Sequence, residues 1–145
     1  MIKKNLKKKK PRVYCAMSAD IIHPGHINIL KIANRYGKVI VGLLTDKAVQ
    51  SYKNKPTLKY LLRKEVMQSI KYVTKVIPQK TLDYSYNLKK IKPKYVVHGD
   101  DWKRGPQKQT REKVIKLIRE WRGKLIEPKY TENVSSTLIK KKIKR

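Results

Sequence analysis

The chain has 145 residues, enough for one compact domain, and 39% of them are hydrophobic, which is sufficient for a packed core. A single cysteine, Cys15, excludes an intramolecular disulfide and a multi-cysteine metal site. No apolar run approaches the roughly 18 residues that span a bilayer, and no apolar segment follows the basic N-terminus to make it a secretory signal. We therefore expect a soluble, cytoplasmic, single-domain protein.

The positive charge is concentrated toward the two ends of the chain. The net charge is +28, and residues 1–12 and 140–145 contribute seven and five lysines or arginines, with no acidic residue in either segment. Such a balance favours polyanions, so a basic nucleic-acid-binding module is the hypothesis from a different functional class. Solvated surface lysines explain the same composition without a partner. We expect residues 1–12 to be a disordered basic tail and 13–145 to be the folded domain.

Short apolar runs alternate with helical patterns along the chain. Runs bounded by turn residues predict five strands, at 13–17, 38–44, 76–77, 95–98 and 125–126. Apolar residues at helical spacing predict helices at 26–36, 45–50, 58–72, 84–91 and 109–121, and a serine-capped helix at 135–143. The near-continuous apolar run at 38–44 is typical of a strand buried on both faces.

This alternation predicts an α/β fold, in which five parallel strands form a Rossmann-like, doubly wound sheet within a single domain. Sheets of this kind bind ligands beyond the carboxyl ends of their strands. Functional residues are therefore expected directly after each predicted strand.

The segment His23-Pro-Gly-His26 follows the first strand and opens the first helix. The N–H groups and the positive dipole at a helix N-terminus attract phosphate, and Gly25 allows a close approach. Two imidazoles three residues apart can each donate an N–H to phosphate oxygens, and phosphoryl chemistry depends on positioning and charge stabilisation rather than on an acid–base step. Two alternatives stay open for such a pattern: polar surface histidines, and a zinc site, for which third ligands at helical spacing are not evident.

Two later segments also follow predicted strands. His98-Gly-Asp-Asp-Trp102 places adjacent carboxylates at the end of the fourth strand, where a cation or a hydrogen-bond donor stabilises them; solvated loop carboxylates are the alternative. Val134-Ser-Ser-Thr137 brings three hydroxyl groups to the start of the last helix, where they can cap the helix and also donate to phosphates.

Together these segments resemble the nucleotidyltransferase superfamily that carries an H-x-G-H signature, specifically its cytidylyltransferase branch. His23-Pro-Gly-His26 matches the signature, Arg63 stands where an R-x-x-x-V helix is expected, and HGDDW and VSST match the two later motifs in order. The resemblance covers residues 13–143. It implies attack by an acceptor's phosphate or phosphonate oxygen on the α-phosphorus of CTP, with release of pyrophosphate. It also implies Mg²⁺ as cofactor, CTP and a small acceptor as ligands, and a homodimer.

The resemblance further implies a role for each matching residue. His23, His26 and Lys53 are implied to be catalytic: the imidazoles grip the triphosphate, and the loop lysine meets phosphates of both substrates. Lys55, the alternative for that lysine, and Arg63 are implied to bind phosphate or the acceptor. Nucleotide contacts are implied for Ser18, Asp20, Gly25, Asp100, Asp101, Trp102, Ser135, Ser136 and Thr137. No protein ligand of a metal is implied.

Two segments depart from the glycerol-phosphate and phosphocholine enzymes of this branch. Met17-Ser-Ala-Asp20 stands where those enzymes usually have G-T-F-D, and Tyr130-Thr-Glu-Asn133 stands where they tend to have R-T-E-G. The segments MSADIIHPGH, GLLTD and VVHGDDWKRGPQ look most like the cytidylyltransferases associated with phosphonate biosynthesis, which implies 2-aminoethylphosphonate as the acceptor. Phosphocholine, phosphoethanolamine and glycerol 3-phosphate are the alternative acceptors, and ATP is the alternative nucleotide.

Overall fold

The computed structural model describes residues 9–144, so residues 1–8 of the expected tail and Arg145 lie outside the described residues. The strands are β1 (Arg12–Met17), β2 (Lys38–Leu44), β3 (Lys75–Gln79), β4 (Tyr95–Val97) and β5 (Lys124–Ile126). The α-helices are α1 (Pro24–Tyr36), α2 (Asp46–Gln50), α3 (Tyr60–Gln68), α4 (Ser85–Ile91), α5 (Lys108–Ile118) and α6 (Ser136–Ile143). Two short 3-10 helices cover Asp100–Lys103 and Arg119–Trp121.

The strands form one all-parallel sheet in the order β3-β2-β1-β4-β5. The chain runs outward from the central β1 through β2 to β3, and then crosses to β4 and β5 on the other side. This reversal opens a crevice at the carboxyl ends of β1 and β4, the place where doubly wound sheets bind ligands. The predicted fold class, a Rossmann-like five-stranded parallel sheet, is confirmed.

Apolar side chains cover both faces of the sheet. Val39, Val41 and Leu43 of β2 pack into one cluster together with side chains of α1 and α3, and Ile40 packs into the opposite cluster with side chains of α4 and α5. Every residue of β2 after Lys38 is buried. Burial on both faces explains why this strand reads as a continuous apolar run.

Several element boundaries differ from the prediction, and three of these differences have a clear physical reason. β1 begins at Arg12, inside the expected tail, because its carbonyl accepts from the N–H of Lys94, at 3.1 Å. β3 continues through Pro78 to Gln79, since a proline is tolerated in a strand at the edge of a sheet. The helix predicted over 58–72 ends at Gln68, and 3-10 turns continue its apolar spacing so that Ile70 still packs on the core.

None of the helices within residues 9–144 has the length and apolar character that crossing a bilayer requires.

We predict that Gly42→Ala destabilises the sheet by about 1–3 kcal/mol, because the new methyl group would overpack β2 against Tyr14. A Cβ at position 42 would lie 1.8 Å from the Tyr14 hydroxyl. That hydroxyl donates to Gln79 at 2.5 Å and accepts from the Asn87 amide at 3.0 Å, so the ring cannot move aside without breaking buried hydrogen bonds. Urea unfolding measures the change, with Lys38→Ala at the exposed start of β2 as control. An unaltered free energy of unfolding for Gly42→Ala would contradict this packing.

Candidate active site

A cavity of about 450 Å³ opens at the carboxyl ends of the central strands. Its walls come from the turn after β1, the loop after α2, the ends of β3 and β4, and the start of α6. The residues of the sequence prediction that line it are Ser18, His23, Gly25, His26, Lys53, Asp101, Ser135, Ser136 and Thr137. The structure thus brings the two imidazoles, a loop lysine and the three hydroxyl groups together from opposite ends of the chain.

The start of α1 fixes the orientation of both histidines. The N–H of Gly25 donates to Nδ1 of His23 at 3.0 Å, and the N–H of His23 donates to Nδ1 of His26 at 3.2 Å. Because Nδ1 is the acceptor in both rings, each neutral imidazole carries its proton on Nε2. The ring centroids lie 3.9 Å apart. Both side chains are therefore preset as N–H donors for a ligand in the cavity.

Burial keeps these imidazoles neutral. It lowers the pKa of His23. Burial, the repulsion from a protonated His23 and the charge of Lys53 together lower the pKa of His26 to about 3. Gly25 is required by the same arrangement, since a Cβ there would lie 2.7 Å from Cε1 of the His23 ring. The glycine of the signature therefore lets the His23 side chain fold back over the helix start.

The turn after β1 sends neighbouring side chains in opposite directions. Ala19 takes a left-handed φ of 47°, and Ser18 before it lines the cavity. Asp20 after it is 2% exposed and lies outside the cavity lining. Its carboxylate accepts the N–H groups of Thr57 at 2.8 Å and Leu58 at 2.9 Å. Asp20 therefore holds the loop that carries Lys53, and the structure does not bring it to the nucleotide side as the resemblance implied.

The loop between α2 and α3 brings one of the two candidate lysines to the cavity. Nζ of Lys53 donates to Oγ of Ser18 at 3.0 Å, and Lys53 lines the cavity, whereas Lys55 lies outside the lining.

Arg63 on α3 is 1% exposed and also lies outside the cavity lining. Its guanidinium donates to the carbonyls of Ser18 at 2.7 Å, Leu44 at 2.8 Å and Leu58 at 2.9 Å. It also donates to the carboxylate of Asp46 at 2.7 Å. All three nitrogens of the guanidinium are thus engaged by the protein, so Arg63 supports the turn after β1 instead of contacting the cavity.

We predict that Arg63→Met lowers the free energy of unfolding by about 3 kcal/mol or more, because buried carbonyls and the Asp46 carboxylate lose their donor. Lys55→Met, at an exposed position, should change it by less than about 0.5 kcal/mol. Urea denaturation compares the two. An Arg63→Met protein with unchanged stability and weakened nucleotide binding would show that this guanidinium contacts phosphate.

The segment after β4 builds an aromatic wall behind the cavity. Trp102 is 1% exposed, lies outside the lining, and donates its indole N–H to Glu127 at 2.7 Å. Arg111 holds the same carboxylate through two hydrogen bonds of 2.8 and 2.9 Å. His98 stacks on Trp102 with ring centroids 3.8 Å apart, and His98 itself lines the cavity. Trp102 therefore supports the cavity residue His98, and the structure places the indole outside the cavity lining, although the resemblance implied a nucleotide contact.

The two aspartates of this segment diverge. Asp101 lines the cavity, whereas the carboxylate of Asp100 accepts the N–H of Tyr130 at 2.8 Å and stays outside the lining. Asn133, two residues before the hydroxyl segment, has a left-handed φ of 61°, a conformation that asparagine tolerates.

Several cavity residues are missing from the sequence prediction. They include His98, Gln79, Tyr130, Thr131, Tyr52, Gln107 and Thr110. Gln79 is the last residue of β3, so the rule of looking after strand ends identifies it once β3 is extended through Pro78. Tyr130 and Thr131 lie just before the hydroxyl segment, and Thr131 accepts from the side chain of Asn28 at 3.2 Å.

We predict opposite tautomers for the histidines. His23 and His26 should carry the proton on Nε2, and His98, whose Nδ1 donates to the carbonyl of Gly99 at 2.7 Å, should carry it on Nδ1. Long-range ¹H–¹⁵N NMR spectra of the imidazoles test this assignment. Nε2 as the unprotonated nitrogen of His23 or His26 would contradict it.

The same spectra test the pKa of His26, which burial lowers to about 3. Its ring shifts should stay constant from about pH 7.5 to about pH 5, while an unfolded histidine titrates near pH 6.5. The unfolded chain binds more protons in this interval, so lowering the pH through it reduces the free energy of unfolding. A His26 ring that becomes cationic near pH 6.5 would contradict the arrangement.

A doubly wound parallel sheet whose strand ends carry imidazole donors, a lysine and a hydroxyl-rich helix start is the architecture of a phosphate- and nucleotide-binding protein. The chain belongs to the cytidylyltransferase-like family, whose model matches residues 14–142. This match confirms the family to which the sequence motifs pointed.

Known relatives include FAD synthases and ethanolamine-phosphate cytidylyltransferases. The FAD synthase of Methanopyrus kandleri is 34% identical over 62% of this chain and 63% of its own length. The ethanolamine-phosphate cytidylyltransferases of Mus musculus and Arabidopsis thaliana are 35% and 31% identical over 62% and 92% of this chain. These alignments cover 23% and 32% of the two enzymes, so the chain spans less than two thirds of the length of these relatives.

Among solved structures, the lipopolysaccharide core biosynthesis protein from Thermoplasma volcanium superposes with a TM-score of 0.72 over 84% of this chain and 98% of that one. At 21% identity, the likeness concerns the fold.

Proposed function

We propose that the chain transfers a nucleotidyl group, in the first place CMP from CTP, to a small acceptor that carries a phosphate. The proposal depends on one observation, the convergence of the imidazoles of His23 and His26, the ammonium of Lys53 and the hydroxyl residues 135–137 on one cavity. The imidazoles, the ammonium and the hydroxyls of Ser135 and Thr137 can each donate to phosphate oxygens. A triphosphate is the ligand that uses all of them at once.

The start of α6 suits the β- and γ-phosphates. Oγ of Ser135 accepts the N–H of Leu138 at 3.1 Å, which leaves its hydroxyl proton for a ligand. Ser136 donates its hydroxyl to the carbonyl of Ile21 at 3.0 Å, which docks α6 against the turn before the histidines. The positive dipole end of α6 adds to the attraction of an anion.

In the proposed reaction an oxygen of the acceptor's phosphate bonds to the α-phosphorus. The bond from that phosphorus to the bridging oxygen breaks, and pyrophosphate leaves with the electron pair. The Nε2–H groups of His23 and His26 donate to the oxygens on which negative charge accumulates in the transition state. Since both imidazoles are neutral and preset, they act as donors and transfer no proton.

The cavity fits Mg²⁺ as an ion carried by the nucleotide phosphates. Within residues 9–144 no cluster of three or more His, Cys, Asp or Glu side chains is able to hold a metal, and Asp101 is the carboxylate that lines the cavity. Mg²⁺ commonly binds substrate phosphates with one or two carboxylates. When bound, the ion would neutralise part of the triphosphate charge, and the protein donors would position the triphosphate.

The acceptor is proposed to be phosphoethanolamine. The ethanolamine-phosphate cytidylyltransferases among the relatives support this acceptor better than 2-aminoethylphosphonate, for which the comparisons give no specific support. The two compounds share an aminoethyl group, so one site would accept either. The ring of Tyr84 and the carboxylate of Asp101 line the cavity and would attract such an ammonium group.

Adenylyl transfer is the second candidate, since three archaeal FAD synthases are 34–35% identical to this chain over 57–64% of its length. FAD is the adenylylated form of flavin mononucleotide. The pair of substrates for this reaction would therefore be ATP and that flavin.

A panel of nucleotides and acceptors with Mg²⁺ tests these proposals by pyrophosphate release. We predict turnover with CTP and phosphoethanolamine that exceeds turnover with 2-aminoethylphosphonate, phosphocholine, glycerol 3-phosphate, or ATP and flavin mononucleotide. His26→Ala should lower kcat/KM by about 100-fold or more, because a donor to the transition state is lost. Lys31→Ala, at an exposed position of the same helix, is the matched control. Absence of turnover with every pair would refute the proposed function.

The homodimer implied by the resemblance stays a prediction. The exposed apolar side chains of Leu61, Leu62 and Val66 on α3 support it, since a second copy would cover them.

A further inference from the structure

Lys140 on α6 reaches the buried carboxylate of Asp20 near the other end of the chain. Its ammonium donates to Oδ2 of Asp20, whose side chain is 1% exposed, whereas the lysine side chain is 29% exposed. The same carboxylate accepts the N–H groups of Thr57 and Leu58. One buried charge thus joins three segments that surround the cavity: the turn before the H-x-G-H signature, the loop that carries Lys53, and α6.

This junction contains a strongly stabilised charge. Burial by itself would raise the pKa of Asp20, but the N–H of Leu58, the ammonium of Lys140 and the N–H of Thr57 together lower it to about 2. The carboxylate is therefore ionised at neutral pH. Without Lys140 it would keep two neutral donors and no opposite charge, and a buried charge in that state is costly.

Lys140 differs from its neighbours in the basic run at the end of the chain. Lys141 and Lys142 are exposed, and among the described residues neither forms an ion pair. Lys140 and Ser136 lie four residues apart on one face of α6, and Ser136 donates to Ile21 of the same turn. This face of α6 is therefore held by two contacts with residues 20–21.

Arg63 makes a similar connection but does not include α6. It donates to the carbonyls of Ser18 and Leu58, and thereby ties the turn to the lysine loop. Lys140 connects α6 to these two segments, and the first turn of α6 carries the hydroxyl groups of the cavity.

We propose that Lys140 is a positioning residue for the reaction: through Asp20 it holds the start of α6 against the lysine loop, so that residues 135–137 and Lys53 face the same phosphates. This inference rests on the proposed function. Lys140 itself is absent from the cavity lining, so it acts through Asp20 and not by contact with substrate.

The test compares Lys140→Met with Lys141→Met, which removes an equal charge one residue further along the helix. In Lys140→Met, kcat/KM for the nucleotide should fall by about 10-fold, mostly through KM, since the phosphate donors of α6 are displaced. Lys140→Arg should restore most of the loss, because it keeps the charge and the hydrogen bond. Lys141→Met should match the wild type.

Hydrogen–deuterium exchange of the peptide that covers residues 53–60 gives a second readout, which is independent of activity. It should be faster in Lys140→Met than in Lys141→Met, because the N–H groups of Thr57 and Leu58 bond to a carboxylate that has lost its counter-charge. Lys140→Gln is measured in parallel and replaces Lys140→Met if that variant does not fold.

The outcomes separate the two proposals. A wild-type chain that is inactive in the whole panel, with faster exchange in Lys140→Met, would refute the proposed function and retain the link through Asp20. Equal exchange in the Lys140 and Lys141 variants, or equal kinetics in an active protein, would overturn the inference.

Discussion

The carboxylate of Asp20 is removed from water and receives hydrogen bonds from two backbone N–H groups and one ammonium. Since a buried charge is tolerated only with such donors, the segments that supply them must stay in place around it. The positive charge of Arg63 constrains the same region, because its buried guanidinium requires carbonyl acceptors from the turn after β1, from β2 and from the lysine loop. The two charged groups lie behind the cavity wall and determine which groups face the cavity. These contacts give the loops around the cavity the rigidity that a precise binding site needs.

The electrostatics of the cavity differ from those of the chain as a whole. The net charge of +28 attracts any polyanion and confers little selectivity. Inside the cavity, the donors of α1 are neutral imidazoles whose protons are fixed on Nε2 by the backbone of the same helix turn. Donors with fixed directions bind a phosphate at one defined position, whereas the surface charge attracts anions anywhere. Such donors also need no reorganisation when charge develops on the phosphate in the proposed reaction. In the proposed reaction, the surface charge would speed the encounter with the substrate, and the donors at the start of α1 would stabilise the transition state.

The sequence predicts the sheet and the cavity segments because both follow from patterns local to the chain. The apolar run of β2 and the position of His23 and His26 after β1 are examples. The direction in which a single side chain points cannot be predicted from the neighbouring sequence. Ser18 and Asp20 belong to one motif, yet the left-handed Ala19 between them turns one to the cavity and the other into the interior. Trp102 and Arg63 match motifs of nucleotide-binding segments, but partners far along the chain bury them. Lys140 is indistinguishable from Lys141 in the sequence, since its partner Asp20 is brought to it only by the fold.

The distribution of groups around the cavity bears on the acceptor. The donors to phosphate lie on α1, the lysine loop and α6, whereas the remaining wall carries Tyr84, Gln79, Thr110 and the carboxylate of Asp101. An acceptor joined to the α-phosphorus must place its own phosphate near the donors and extend the rest of its structure toward the other wall. An ammonium group there gains from an aromatic face and a carboxylate, whereas a glycerol group gains hydrogen bonds alone. A flavin ring would use the aromatic side chain and the apolar Leu82 and Pro106 instead. Under the proposed function, selection among acceptors would therefore depend on the wall formed after β3 and β4, while the phosphate donors would be common to all of them.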